Sequence, residues 1–289
     1  MRDYVIYEDT DSCYININDF ILNNINNKDA WLNLSDADKI EYIKRISKII
    51  EKHVNDRTFN ITQKEIYNSI VDDFKITWEQ EKIAKSGLFV KKKKYATHTI
   101  IEDGMWKDEI SITGLEIIRS DTPLIFKEGL NKILEMILKN HSDEEINKVA
   151  KDYIKKAKKL KPSELSSNIG VNNTHKYIDK NGDPKKGAPW HVKGFANYNK
   201  LLKILNIENK YPTLHEGTKV KVIYVKKNPY GIDAISYQVW PNEFDQMGIF
   251  PHYDKMIDKF FIAKIDYLLT PEGKQGLLQK MDEKVSLFF

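Results

Sequence analysis

The stretch "YVIYEDTDSCYI", residues 4–15, decides how this chain reads. Two acids, Asp9 and Asp11, stand two apart inside a run of β-branched and aromatic residues. Such a run favours extended backbone. Residues 4–18 therefore predict a strand, a tight turn at Glu8-Asp9-Thr10-Asp11 and a second strand. At that spacing both carboxylates can point to one side. Two carboxylates on one side repel each other unless cations hold them. Magnesium favours such oxygen ligands together with substrate phosphates, and two ions roughly 4 Å apart serve phosphoryl transfer. A polar hairpin turn, in which Asp simply suits the backbone, explains the same residues. Spacing alone leaves both readings open.

Outward from the hairpin, Ser35 is placed to cap a helix, with Asp38 at the capping-box spacing. Ile40, Ile43, Ile46, Ile50 and Val54 give that helix an apolar face. A second helix is predicted around Ile66, Ile70 and Phe74, continuing toward Ile83. Residues 88–118 read as extended, with turns at Asp103-Gly104 and before Gly114. In "RSDTPLIFKEGLNKILEMILKN" (119–140), Thr122 reads as an N-cap and Pro123 as the first helical residue. Ile125, Leu130, Ile133, Leu134 and Ile137 can face a core, while Gly129 weakens the helix. Ser142 and Glu145 form a second capping box, opening a helix that turns basic at its end. Residues 163–194 look loop-rich. "TKVKVIYVKKNPYGIDAISYQVW" (218–240) reads as two strands joined by a turn at Asn228-Pro229-Tyr230-Gly231, and a last helix is expected over 251–269. The expected fold class is α+β: a mixed first part ending near residue 119, then a mainly helical part with a small β element.

Composition narrows the function. Charged residues make up 30% and apolar residues 41% of the 289, the balance of an ordinary globular chain. A formal net charge of +4 does not announce nucleic-acid binding. Local runs do more: Lys91 to Lys94, and Lys155, Lys156, Lys158, Lys159 and Lys161, although such runs are also ordinary solvated surface. The single cysteine, Cys13, excludes an intrachain disulfide and a cysteine-cluster zinc site. No apolar run approaches the roughly 18 residues of a membrane helix, and the N-terminus lacks a signal-peptide layout. The expected setting is a reducing cytoplasm, that of the host if the source is a virus, with no membrane partner.

"YEDTDS" (7–12) resembles the Tyr-Gly-Asp-Thr-Asp-Ser signature of family B DNA polymerases, which forms a palm hairpin. Further segments follow in that family's order. "WEQEKIAKSGLFVKKKKYA" (78–96) resembles its segment ending in a Lys-Lys-Arg-Tyr motif, and "GLEIIRSDTP" (114–123) resembles the start of its thumb. "SSNIGVNNTHKY" (166–177) and "GAPWHVKGFANYN" (187–199) resemble thumb segments of the T-even-type bacteriophage replicative polymerases. "EKVSLFF" (283–289) resembles their clamp-binding tail. The exonuclease domain, first palm segment and fingers that precede this hairpin in the family are not in this sequence. The resemblance therefore implies the C-terminal part of such an enzyme: palm end over 1–119, thumb over 120–281, and a clamp-binding tail over 282–289. A natural split and a truncated fragment both fit.

The resemblance also implies residue roles. Asp11 would bridge two Mg²⁺ ions with Asp9 beside it, and Glu81 would either help to position metal or be a solvated helix glutamate. A third carboxylate would come from the absent palm segment, so the chain alone is expected not to polymerise. Lys92, Lys93, Lys94 and Tyr95 would hold the primer–template; Lys94 stands where the family has Arg and loses its bidentate fork. Glu8 replaces the family's Gly, adding bulk and charge where the primer end approaches. Lys176, Lys186, His191 and Lys193 would contact DNA, Arg119 would either contact the DNA backbone or hold palm to thumb, and Ser167, Asn168, Asn173 and Asn199 lie in the same segments. Leu287, Phe288 and Phe289 would insert into a sliding clamp. The implied partners are primer–template DNA, deoxynucleoside triphosphates, the N-terminal polymerase part and the clamp. A non-catalytic DNA- and clamp-binding module is the alternative, and an independent metal nuclease ranks last.

Overall fold

The computed structural model describes residues 4–59, 61–68, 77–115, 119 and 121–269. The chain divides into two compact units, residues 1–114 and 115–289.

In the first unit β1 (Val5–Glu8) and β2 (Cys13–Ile15) pair antiparallel with Glu8 opposite Cys13. The turn sits one residue later than the sequence suggests: the Asp9 N–H donates to the Ser12 carbonyl across 2.9 Å. The second strand is also shorter. Asn16 ends it by accepting the Asp19 N–H and opening α1 (Ile17–Asn24), and Asn27 does the same for α2 (Lys28–Leu32). Neither helix has the length or periodicity to announce itself. α3 (Asp36–His53) begins at Ser35 as predicted, the Ser35 hydroxyl accepting the Asp38 N–H. It runs into π-helical turns at Val54–Phe59 and Thr62–Ile66.

Of the predicted second helix, a helical turn ending at Ile66 is present, and the continuation toward Ile83 is corrected. Ile66 is 70% exposed and ends a π-helical turn, while Ile70 and Phe74 lie outside the described residues. Ile83 belongs to a strand. β3 (Lys82–Lys91), β4 (Lys94–Glu102) and β5 (Met105–Thr113) form an antiparallel sheet with β4 central. Asp103 and Gly104 turn β4 into β5, both at positive φ (51° and 75°). Ile83, Ile100 and Ile101 form a core cluster, against which α3 packs Ile40 and Ile43.

The second unit is built on α4 (Leu124–Leu138) and α5 (Asp143–Ala157). Thr122 is not the cap: Pro123 takes that position without a side-chain bond, and the Thr122 hydroxyl accepts from Lys264 Nζ at 2.6 Å. Gly129 has a packing reason. A Cβ there would lie 2.7 Å from the Phe261 ring and 3.0 Å from that of Tyr153, so glycine lets the two rings approach. The capping box of Ser142 and Glu145 is present.

Residues 163–194 hold more order than the sequence suggests. α6 (Pro162–Leu165), β6 (Ser167–Gly170) and α7 (Thr174–Tyr177) lead to α8 (Trp190–Ile204). β6 pairs with β7 (Lys219–Tyr224), which pairs with β8 (Ala234–Tyr237) around the predicted turn. α8 lies close against β8: a Cβ on Gly194 would sit 2.6 Å from Ser236 N, and Asn197 donates to the Ala234 carbonyl. α9 (Glu243–Gln246) precedes a helical run of α10 (Tyr253–Ile257), a π-turn at Asp258–Ile262 and α11 (Ala263–Leu269). No helix among the described residues is long and apolar enough to cross a membrane. The chain is α+β, with antiparallel sheets in both units.

Candidate active-site hairpin and nucleic-acid interface

The β1–β2 loop presents its acids at the surface, Asp9 half-exposed and Asp11 exposed. The Thr10 N–H donates to Asp9 Oδ1 at 2.9 Å. That bond is the main cause holding the Asp9 carboxyl below its ordinary pKa, helped by the charges of Lys93 and Lys92. Asp9 is thus an ionised oxygen donor at neutral pH, and the exposed Asp11 carboxyl stands two residues on in the same loop. Hard oxygens of this kind suit Mg²⁺, which keeps open positions for water and substrate phosphates. Among the described residues no three His, Cys, Asp or Glu side chains gather as a cation site. Glu81, exposed at the start of β3, therefore does not join Asp9 and Asp11; its charge acts on Tyr14. Two donors fit a part of a magnesium shell. Glu8 is exposed opposite Cys13.

An aromatic cluster holds this hairpin on the sheet. Tyr7 from β1 and Tyr14 from β2 pack on Phe89 and Tyr95, with ring centroids 5.1–5.5 Å apart. Contacts of this type add about 0.5–1.5 kcal/mol per pair beyond area burial. Burial and a hydrogen bond with Tyr95 push the Tyr14 phenol well above its ordinary pKa. Tyr95 is therefore half-buried in the cluster, supporting the hairpin from below.

Lys92 and Lys93 form the exposed turn between β3 and β4, with Lys91 opposite Lys94. Lys93 has φ 61°, a left-handed conformation that costs a non-glycine residue about 1–2 kcal/mol. Its amide N–H donates to Tyr7 Oη at 2.8 Å. The basic turn is thereby bonded to the acid-bearing hairpin, a contact between residues 86 apart in sequence.

In the second unit Lys186 and Lys193 face one groove of about 310 Å³, lined also by Pro184, Lys185, Asn197 and the Gly231–Asp233 turn. Lys185 Nζ also reaches the Lys176 carbonyl at 3.2 Å, so Lys176 on α7 borders the same basic surface. Lys185 was legible beside Lys186 in "DPKKG". Asn197 stands four residues after Lys193, on the same face once α8 is recognised as a helix.

Arg119 and His191 share a different neighbour, Asp121. Arg119 Nε contacts Asp121 Oδ1 at 3.2 Å. Burial lowers the His191 pKa, against a smaller opposing pull from Asp121. At pH 7 His191 is neutral and offers hydrogen bonds rather than charge. Asn199 is committed internally, its side chain bonding both the N–H and the carbonyl of Leu214 at 2.9 Å. Ser167 is fully buried. Leu287, Phe288 and Phe289 lie outside the described residues.

With this geometry in view, known proteins give the lineage. The profile of DNA polymerase family B matches residues 35–228, well over half of the chain. The chain belongs to the family B DNA polymerases. Among its relatives, the DNA-directed DNA polymerase of Escherichia phage RB69 is 27% identical over 215 residues, 68% of this chain and 22% of the relative. The DNA polymerase of Thermococcus gorgonarius is 41% identical over 81 residues, 28% of this chain and 10% of the relative. That of Pyrococcus horikoshii is 44% identical over 78 residues, 27% of this chain and 6% of the relative. The chain thus spans under a quarter of the length of each of these relatives. The matched range contains Glu81, the Lys92–Tyr95 motif, Arg119, Lys176, Lys186, His191 and Lys193. The Asp9–Ser12 loop precedes it, so its role rests on its own residues and geometry.

Proposed function

We propose that this chain supplies the end of the palm and the thumb of a family B DNA polymerase. In this reading the palm portion is residues 1–119, the thumb 120–281 and a clamp-binding tail 282–289. The observation that carries it is the bond from Lys93 N–H to Tyr7 Oη, which ties an exposed acidic loop to a basic turn within a family B chain. Asp11 and Asp9 would hold Mg²⁺, together with a carboxylate from the N-terminal polymerase part. Bound magnesium would activate the primer 3′-hydroxyl and offset charge on the incoming deoxynucleoside triphosphate. Lys92 and Lys93 would neutralise backbone phosphate or reach the minor groove near the primer end. Lys186, Lys193 and Lys176 would grip the duplex. Phosphate contacts of this kind position DNA without reading its sequence. Leu287, Phe288 and Phe289 would dock in a sliding clamp, as interface aromatics do.

The test is Mg²⁺-dependent nucleotide addition by the chain combined with the exonuclease, palm and finger segments. Addition is the expected result. A combination that associates on DNA and adds nothing favours the second reading, a DNA- and clamp-binding module without catalysis, which Glu8 in place of glycine supports.

The thumb assignment has its own consequence. Lys186→Ala with Lys193→Ala removes two cations from one groove. Primer–template affinity should fall, and the slope of log K against log salt should become shallower by about 1.8, at about 0.9 per phosphate. A slope equal to that of the wild type would place the duplex elsewhere.

A further inference from the structure

The Lys92–Lys93 turn is fixed from two sides by residues that carry no charge. On one side Tyr7 Oη accepts the Lys93 N–H at 2.8 Å. On the other, Gly114 lies so close that a Cβ there would stand 2.0 Å from the Lys93 carbonyl oxygen. Gly114 itself has φ 61°, a conformation that favours glycine. Between them Lys93 keeps a left-handed backbone that a lysine does not take freely, and left-handed non-glycine residues persist when their surroundings over-determine them. The ring of Tyr7 is meanwhile locked by Tyr95 and Phe89 at 5.1 and 5.4 Å. Tyr7 stands two residues before Asp9 on the same hairpin.

We propose that Tyr7 and Gly114 are positioning residues, which clamp the Lys93 peptide and so fix the basic turn relative to the Asp9–Asp11 loop. The spacing between the cations that grip the primer and the acids that act on its end is then built into this chain before DNA arrives. The proposal rests on the polymerase reading above. In nucleotidyl transfer a misplacement of about 1 Å can cost on the order of 10²-fold in rate. A loosened clamp should therefore be felt in turnover more than in DNA affinity.

Two variants test it. Tyr7→Phe keeps the ring and removes the acceptor; Gly114→Ala forces the Lys93 carbonyl to move. In the assembled enzyme at saturating primer–template and nucleotide, each is expected to lower the single-turnover rate at least about ten-fold. The dissociation constant for DNA should change by less than the rate does. A role confined to stability would instead lower the melting temperature and leave the rate per active site unchanged, which overturns the proposal. So would wild-type rates in both variants. An inactive wild-type assembly would count against the polymerase reading itself. The clamp stays testable on the chain alone by hydrogen exchange. Tyr7→Phe should speed exchange of the Lys93 amide, and undiminished protection there would overturn the clamp.

Discussion

Asp11→Ala is expected to remove primer extension by the proposed polymerase assembly, with a fall in rate of at least about 10³-fold in Mg²⁺. Metal-assisted charge stabilisation is worth several kcal/mol, and each 1.36 kcal/mol is a factor of ten. Asp11 is exposed at the tip of the β1–β2 loop, so its loss opens no cavity and leaves the fold unchanged. Asp9→Ala should cost less in rate. It also removes the acceptor of the Thr10 N–H and so loosens the loop. The check is single-nucleotide incorporation, with melting temperature and DNA affinity measured alongside. A near-wild-type rate for Asp11→Ala would remove the acidic loop from catalysis and leave the chain as a binding module.

Gly194→Ala acts on the other unit and through packing. The new Cβ would meet Ser236 N and Oγ at 2.6 Å and Ile235 C at 2.8 Å, and these are mostly backbone atoms of β8. β8 cannot retreat easily: Ser236 is paired with Val222, and its hydroxyl donates to the His191 carbonyl at 2.7 Å. Overpacking costs typically 1–3 kcal/mol and sometimes more, while alanine returns about 1 kcal/mol of helix propensity. A net loss of about 1–2 kcal/mol lowers the melting temperature of a unit this size by about 2–8 °C. DNA affinity should fall with it, because α8 carries Lys193 one residue away. Thermal melting decides the point, and an unchanged midpoint would mean that α8 does not press on β8 as described.

Features set by neighbours in sequence were legible. Ser35 capping α3, the box of Ser142 and Glu145, the Asp103-Gly104 turn and the β7–β8 hairpin each rest on a few adjacent residues. What failed depends on distant partners. Ile83 fits a helical spacing, yet its strand is fixed by pairing with Ile101. β6 is short and polar, and only Lys219–Val222 opposite makes it a strand. Thr122 looks like a cap until Lys264, 142 residues away, takes its hydroxyl. In the site, the acids and the lysine run were visible as separate motifs. The Tyr7 bond and the Gly114 contact that set the basic turn beside the acids were not, since neither residue advertises a partner so far along the chain.

The central claim is that this chain contributes half of a polymerase active site. Mg²⁺-dependent primer extension tests it most directly, comparing the chain alone, the N-terminal exonuclease, palm and finger part alone, and the two mixed. Extension in the mixture and in neither piece is the predicted result. Robust extension by this chain alone would contradict the account, as would none from a mixture shown to associate on primer–template.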